Sequence, residues 1–345
     1  MQTTYIIGNG FDVNLGIKST YGDFYQYYVG LPAVGNQYIM NVRQQMTNYI
    51  TNNTNKEVKD IDWSDLEKAL GDYSINIPAD EFKTVFFDIE TNLMAYLTRQ
   101  ADLLEINDKM KQKIMKDFCW PDINDNFKPG PINSIRNHKT YYRNGSEMIS
   151  IINFNYTSTL ERLLDYKGGR VSIGTNSVGM SVYIENIIHI HRSLADGDII
   201  LGVNDVNQIA NQSYLDRAEI LDCLVKPQVN ENQEDGINDE VRNVIHSSDI
   251  IVIFGSSLGE TDSMWWTEIG ERLLNSKALL LYFMYSKTAI TRGMYNLPGV
   301  IRDKRNELAK KMFIADSQFQ TVEKRILIGY RPKIFSVLMN QKKSS

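Results

Sequence analysis

The chain opens on an apolar run, Tyr5-Ile6-Ile7, that breaks into Gly8-Asn9-Gly10-Phe11-Asp12. The change from strand formers to turn formers predicts a short buried strand ending in a tight turn. From Thr20 onward, Tyr21, Phe24, Tyr25 and Tyr28 recur at helical spacing, which predicts a helix with a buried aromatic face. Ser19 or Thr20 would cap it, with Asp23 in its first turn. Residues 30–145 are mainly helical in pattern, interrupted by an Asn/Thr-rich polar loop at Thr51–Asn55 and by Phe127-Lys128-Pro129-Gly130-Pro131. Strand signals return at Met148–Phe154, Ile187–His191 and Ile199–Gly202. Asp249–Phe254 is apolar on both alternating faces, the mark of a strand buried on both sides. Ala278–Phe283 is a further apolar run, placed after a helix predicted over Ser263–Asn275. The acidic, amide-rich stretch Val229–Glu240 reads as a surface loop.

Strands that alternate with helices predict an α/β fold, a largely parallel sheet with helices on both faces. We read residues 1–345 as a single α/β domain carrying a large helical insertion or subdomain over 30–145. With 42% apolar and 23% charged residues, the chain can bury a substantial core without disulfides or metal. Lys+Arg 37 against Asp+Glu 42 leaves a net charge of −5, which argues against a nucleic-acid binder with a basic footprint. Cys119 and Cys223 are too few and too far apart for a disulfide scaffold or a thiolate zinc site. No basic, apolar leader opens the sequence, and the apolar stretch around Ile250–Phe254 falls well short of the ~20 residues a membrane span needs. A cytoplasmic protein without a membrane segment is expected.

Four clusters carry candidate chemistry. Gly8-Asn9-Gly10 after a strand allows close approach to the backbone and offers helix-start N–H groups to a phosphate. The cluster departs from the dinucleotide fingerprint, because Val13 occupies the third glycine position. It departs from the phosphate loop as well, since Ile17 splits Gly16 from Lys18-Ser19. A ligand-free turn is the plain alternative. Asn153-Phe154-Asn155-Tyr156-Thr157 falls at the carboxyl edge of a strand, where open α/β sheets bind ligands. The same residues would also serve as a cap for a helix over Thr159–Leu164.

His189-Ile190-His191 lies on a predicted strand, whose period places both imidazoles on one face. Zinc would need a third ligand, and Asp196 or Asp198 qualifies only if the following loop folds back, so no metal is expected. One histidine acting as a general base beside a structural one is the preferred reading. Gly255-Ser256-Ser257-Leu258-Gly259 fits the G-x-S-x-G nucleophile elbow, yet His138, His189, His191 and His246 all precede Ser257. The order Ser…Asp…His therefore cannot be built, and what remains is a glycine-bearing turn leading through Glu260, Thr261 and Asp262 into a helix whose Trp265 and Trp266 are read as core residues or as packing against the adjacent insertion. In the insertion, Ser64 and Glu67 after Asp62-Trp63 form a capping box, and Glu67 is a carboxylate that would reach a ribose if the insertion overhangs the cleft.

Taken in order, these pieces resemble the AbiH family of bacterial abortive-infection proteins. The resemblance rests on Ile6-Ile7-Gly8-Asn9-Gly10-Phe11-Asp12, Lys18-Ser19-Thr20-Tyr21 with Asp23-Phe24, and Trp63-Ser64-Asp65-Leu66-Glu67. It continues through Asn153–Thr157, His189-Ile190-His191, and Gly255-Ser256-Ser257-Leu258-Gly259-Glu260-Thr261-Asp262. It implies a bacterial phage-defence protein. More distantly, the same order is similar to SIR2-like NAD-consuming domains, which implies a Rossmann-like (SIR2-like) sheet and NAD as substrate or ligand. Under that similarity Gly8, Asn9, Gly10, Phe11 and Asp12 form the phosphate turn, with pyrophosphate held by their backbone N–H groups. Asn155 and Tyr156 fall in the second segment, His191 matches the catalytic histidine, and Gly255, Ser257 and Asp262 fall at the late turn. Two positions depart from those domains: Thr157 stands where they carry Asp, and Arg192 where they carry Gly. A long side chain at 192 would crowd the nicotinamide ribose or bind a phosphate.

The function that follows is an NAD-cleaving effector in which His191 is the general base and Asn155 orients ribose or water. The alternative is a non-enzymatic nucleotide sensor acting through a protein partner, which Arg192 favours. Nucleic-acid hydrolysis would need a metal-ligand set that the sequence does not provide. The partners implied are a nucleotide, a phage-derived trigger and further copies of the chain.

Overall fold

The opening apolar run becomes the central strand of a seven-stranded sheet. The structure is a computed structural model that describes residues 1–52, 64–121, 126–232, 236–285, 296–330 and 334–336. The strands are β1 (Gln2–Ile7), β2 (Glu147–Asn153), β3 (Val171–Thr175), β4 (Ser181–His189), β5 (Ile250–Phe254), β6 (Leu279–Phe283) and β7 (Ile326–Gly329). They lie in the order β3-β4-β2-β1-β5-β6-β7, all neighbours parallel except the edge pair β3 and β4. Without that antiparallel edge, the six parallel strands have the doubly wound Rossmann order 3-2-1-4-5-6. The winding reverses between β1 and β5, the place where such sheets bind ligands.

Register makes the carboxyl edge level. His189, Asn153, Ile7, Phe254, Phe283 and Gly329 are paired in one row across the sheet. The residues that follow β1, β2, β4 and β5 therefore emerge side by side. Along β1 the side chains alternate between two cores, as strand geometry dictates. Tyr5 and Ile7 pack with helices Asp108–Cys119, Pro129–Tyr141 and Thr159–Leu164. Ile6 packs with helices Ile237–Ser247, Ser263–Asn275 and Leu297–Lys311 on the other face.

A third core stands apart from the sheet. It is built by helices Tyr21–Val29, Gln37–Asn52, Ser64–Tyr73 and Ala79–Asp102, all between β1 and β2. The aromatic stripe read from the sequence is its centre: Tyr21, Phe24, Tyr25 and Tyr28 are buried, and Thr20 caps their helix in a capping box with Asp23. Residues between β4 and β5, from Ile199 to Val225, complete this core.

Several boundaries differ from the sequence reading. Ile199–Gly202 is not a strand: Ile199, Leu201 and Val203 alternate into the helical third core, and Val203 makes only an isolated bridge to Val225. Strand β4 ends at His189, because Ile190 and His191 turn away under an Arg192 N–H to His189 carbonyl bond of 3.3 Å. The stretch taken as a surface loop is largely helical, in Lys226–Asn232 and Ile237–Ser247, where Asn230 donates to Asn238 at 3.1 Å in a buried amide contact. Strands β3 and β7 are short and carried no clear sequence signal. Thr51 and Asn52 close a helix; residues 53–55, with Trp63, lie outside the described residues. Among the described residues, no helix is long and apolar enough to cross a membrane.

The turns after β1 and β5 are pressed together. A Cβ on Gly10 would meet the Gly255 Cα at 2.6 Å, and one on Gly255, which sits at φ +74°, would meet the Phe11 nitrogen at 2.7 Å. Neither obstacle can move without moving backbone. Gly255→Ala is expected to cost at least ~2 kcal/mol in denaturant unfolding, whereas Gly35→Ala, which meets nothing within 4 Å, stays within ~0.5 kcal/mol of the parent. Equal effects would mean that the two turns are not in contact.

Candidate functional site

The site begins with these paired turns. Gly8 donates to the Phe254 carbonyl at 2.9 Å, Gly10 to the Gly255 carbonyl at 2.8 Å, and Phe11 to the Gly8 carbonyl at 2.9 Å. These three N–H groups therefore bond within the fold, and the turn offers a phosphate fewer donors than its sequence suggested. The Asn9 side chain is also engaged, donating to the Ser19 carbonyl at 3.0 Å and accepting from the Ser19 hydroxyl at 2.6 Å. What the turns provide is an approach free of side chains. They open onto a cleft lined by Gly8, Asn9, Gly255, Ser256 and Ser257 on the rim and by Phe154, Tyr156, His191, Asp262, Thr261 and Glu67 deeper in.

The deep wall is a network of charged groups. Lys226, 3% exposed, lies 2.7 Å from Asp262 Oδ1 and 2.9 Å from Glu67 Oε2. Thr261 donates to the same Glu67 oxygen at 2.6 Å, and His191 Nε2 lies 3.0 Å from Asp262 Oδ1. Burial opposes charge on Asp262, but the Lys226 ammonium and then His191 outweigh it and hold its carboxyl well below the usual carboxylate range. For Glu67 burial wins over the attraction of Lys226, with repulsion from Asp262 added, and its pKa is pushed up. Burial would lower Lys226, yet Asp262 and Glu67 raise it, so the lysine stays an ammonium. Aromatic rings fix His191 from the side: Phe154 meets it edge-on at 5.4 Å and stacks in turn on Trp266, whose indole N–H donates to the Gly259 carbonyl at 2.7 Å.

The histidines part company at the end of β4. His189 donates from Nδ1 to the Asn155 carbonyl at 2.9 Å and places Nε2 2.6 Å from Glu161 on helix Thr159–Leu164. Both ring nitrogens thus face oxygen acceptors; although burial opposes it, the Glu161 carboxylate raises the pKa of His189. The turn after His189 carries His191 to Asp262 instead, so the two imidazoles do not share a face as the strand period implied. Arg192 sits at φ +58°, the left-handed region that favours glycine, and its guanidinium pairs with Asp198. It lines a second pocket with Glu161, His189 and Glu240 and is not among the residues that line the cleft.

Of the residues singled out from sequence, Gly8, Asn9, Tyr156, His191, Gly255, Ser257 and Asp262 line one cleft. Gly10, Phe11 and Asp12 support it from behind, and Phe11 and Asp12 are almost completely buried. Asp12 accepts from Thr157 at 2.6 Å, and burial pushes its carboxyl up to about 7 despite that bond. Asn155 is 4% exposed and does not line the cleft; its carbonyl holds His189, and its Oδ1 has no partner among the described residues. The sequence reading missed Lys226 and Thr261. Lys226 stands just before the stretch taken for a surface loop, and nothing in its local pattern sets it apart from a solvated lysine.

A family model described as "Bacteriophage abortive infection AbiH" matches residues 4–284, which include every residue of the cleft. A search of curated proteins finds no match.

Removing the cation from this wall leaves two buried carboxylates facing each other. Lys226→Met is expected to destabilise the fold by ~3–5 kcal/mol in denaturant unfolding, and a loss below ~1 kcal/mol would mean the network is not buried. Asp12 sets a pH dependence of known sign. Its folded pKa of about 7 lies above the ordinary 3.8, so its stabilising contribution is full below about 3.8 and is lost as pH rises through about 7. Asp12→Asn should therefore gain ~3 kcal/mol on the parent between pH 5 and pH 8.5 in paired melts. A difference that stays flat with pH would show that Asp12 is ionised throughout.

Proposed function

Because the chain belongs to the AbiH family of bacteriophage abortive-infection proteins, we propose that it binds NAD in the cleft between β1 and β5 and hydrolyses it to nicotinamide and ADP-ribose. NAD loss would then stop the infected cell and the phage together. The observation that carries this reading is the His191–Asp262 pair in the wall of a cleft at the switch point of a doubly wound sheet.

The chemistry follows from that pair. Asp262, held ionised by Lys226, favours the His191 tautomer with its proton on Nε2, leaving Nδ1 to accept one. Water attacks C1′ of the nicotinamide ribose, the C1′–N bond breaks with its electron pair leaving on nicotinamide, and the water's proton passes to His191. Positive charge develops on the ribose as the bond breaks, and the ionised Asp262 in the wall stabilises it. The pyrophosphate lies over the glycine turns, where no side chain intervenes. Asn155, on the turn that also carries Phe154 and Tyr156, is buried behind the cleft and acts by holding that turn and, through its carbonyl, His189 in place.

The test is nicotinamide release from NAD by the purified protein, with and without lysate of phage-infected cells. The parent releases nicotinamide, and His191→Ala lowers the rate at least ~100-fold, whereas Asn155→Ala, which removes a side chain behind the cleft, lowers it less. Binding of NAD in a calorimeter with no release under either condition would replace hydrolysis by nucleotide sensing through a protein partner. No binding at all would refute the proposal.

A further inference from the structure

We infer that Glu67, carried by helix Ser64–Tyr73 of the segment between β1 and β2, is a specificity-determining residue that receives the vicinal hydroxyls of a ribose, so that the cleft selects ribonucleotides with a free 2′,3′-diol. The inference rests on the proposed NAD reading of the same cleft and adds which sugar that cleft accepts.

Glu67 keeps bonding capacity unused among the described residues. Every bond that Glu67 makes among the described residues uses one oxygen: Oε2 takes Lys226 at 2.9 Å and Thr261 at 2.6 Å. Oε1 takes neither, on a side chain that lines the cleft beside His191, Thr261 and Asp262. A carboxylate needed only as a counter-ion could sit behind the wall, as Asp12 does. Glu67 reaches the cleft from a helix of the third core, across from the sheet edge, and its position is fixed at both ends. Leu66 and Leu70 anchor the helix in that core, and Lys226 with Thr261 holds the carboxylate.

The group that suits such an oxygen is a paired hydroxyl donor. Burial pushes Glu67 toward its neutral form, and in either form Oε1 finds a partner in the hydroxyls of a cis-diol, which both donate and accept; a ribose offers that pair with no charge of its own to be buried. An anionic ligand group is disfavoured here, because Asp262 is ionised 2.7 Å from the same lysine. The phosphates of a nucleotide therefore point out toward the glycine turns, and the sugar next to the scissile bond points in toward Glu67. Since His191 and Glu67 are linked through Asp262 and Lys226, the ribose held by Glu67 is the one whose C1′ is nearest the base.

Calorimetry on the full chain with two probes tests this: NAD, and NAD lacking the 2′-hydroxyl of its nicotinamide ribose. The parent should bind NAD ~10- to 100-fold more tightly than the deoxy analogue, the range for leaving one buried hydrogen-bonding group unpaired. In Glu67→Gln that ratio should fall below ~3-fold; the analogue keeps its 3′-hydroxyl, so its affinity falls as well, but by less than that of NAD. A parent that binds both probes equally overturns the inference and leaves NAD binding intact. A variant that weakens both probes alike, keeping the ratio, overturns it too, since that is what a merely structural Glu67 would do. Failure of the parent to bind either probe removes the NAD reading and this inference with it. The comparison on the parent alone needs no variant to fold.

Discussion

Lys226 is the group on which the cleft depends. One buried ammonium serves carboxylates from two distant parts of the chain, Glu67 from the helices between β1 and β2 and Asp262 from the turn after β5. Through Asp262 it also reaches His191, from the turn after β4. Burying charges is expensive, and a single cation cannot neutralise two carboxylates fully. The cluster answers this unequally, with Asp262 driven toward the ionised form and Glu67 toward the protonated one. Such an arrangement costs stability that apolar residues would not, and unequal carboxylates beside a histidine are what proton-transfer chemistry requires.

The glycine turns impose a second constraint that works against a simple phosphate site. Close contact between Gly8–Gly10 and Gly255 brings β1 and β5 to the same level and closes the base of the crevice. The same contact uses N–H groups that a phosphate loop would leave free. The turns therefore contribute shape more than hydrogen bonds, and the charged groups of the cleft lie in the wall formed by His191, Asp262 and Glu67. Arg192 illustrates how backbone and side chain can be read separately. Its position keeps the left-handed backbone of a glycine, while its side chain is drawn off to Asp198 and the second pocket.

Much of the sheet was legible because buried parallel strands are continuous apolar runs. Tyr5–Ile7, Ile250–Phe254 and Ala278–Phe283 could hardly be anything else, and the aromatic stripe from Tyr21 to Tyr28 marked a buried helix face equally well. Ile199–Gly202 was misread because alternation into a helical core looks the same as alternation into a sheet. The stretch after Val229 was misread because acidic and amide residues that cap and pair within helices have the composition of a loop. Most of the cleft was legible because turn residues at strand ends in a parallel sheet must meet at one edge. Lys226 was not, since its role comes from partners 159 and 36 positions away, which no local pattern encodes. The separation of His189 from His191 was hidden for a related reason, as only the turn after β4 decides it.

The central claim is that this cleft, and not another surface, is where NAD is held. Amide hydrogen exchange measured with and without NAD addresses it without requiring turnover. The account predicts slower exchange in 8–13, in 189–193 and in 255–262 when NAD is added, with helix Ala79–Asp102 unchanged. Exchange that NAD leaves unaltered throughout, or protection confined to residues around the second pocket such as Glu161 and Glu240, would contradict it.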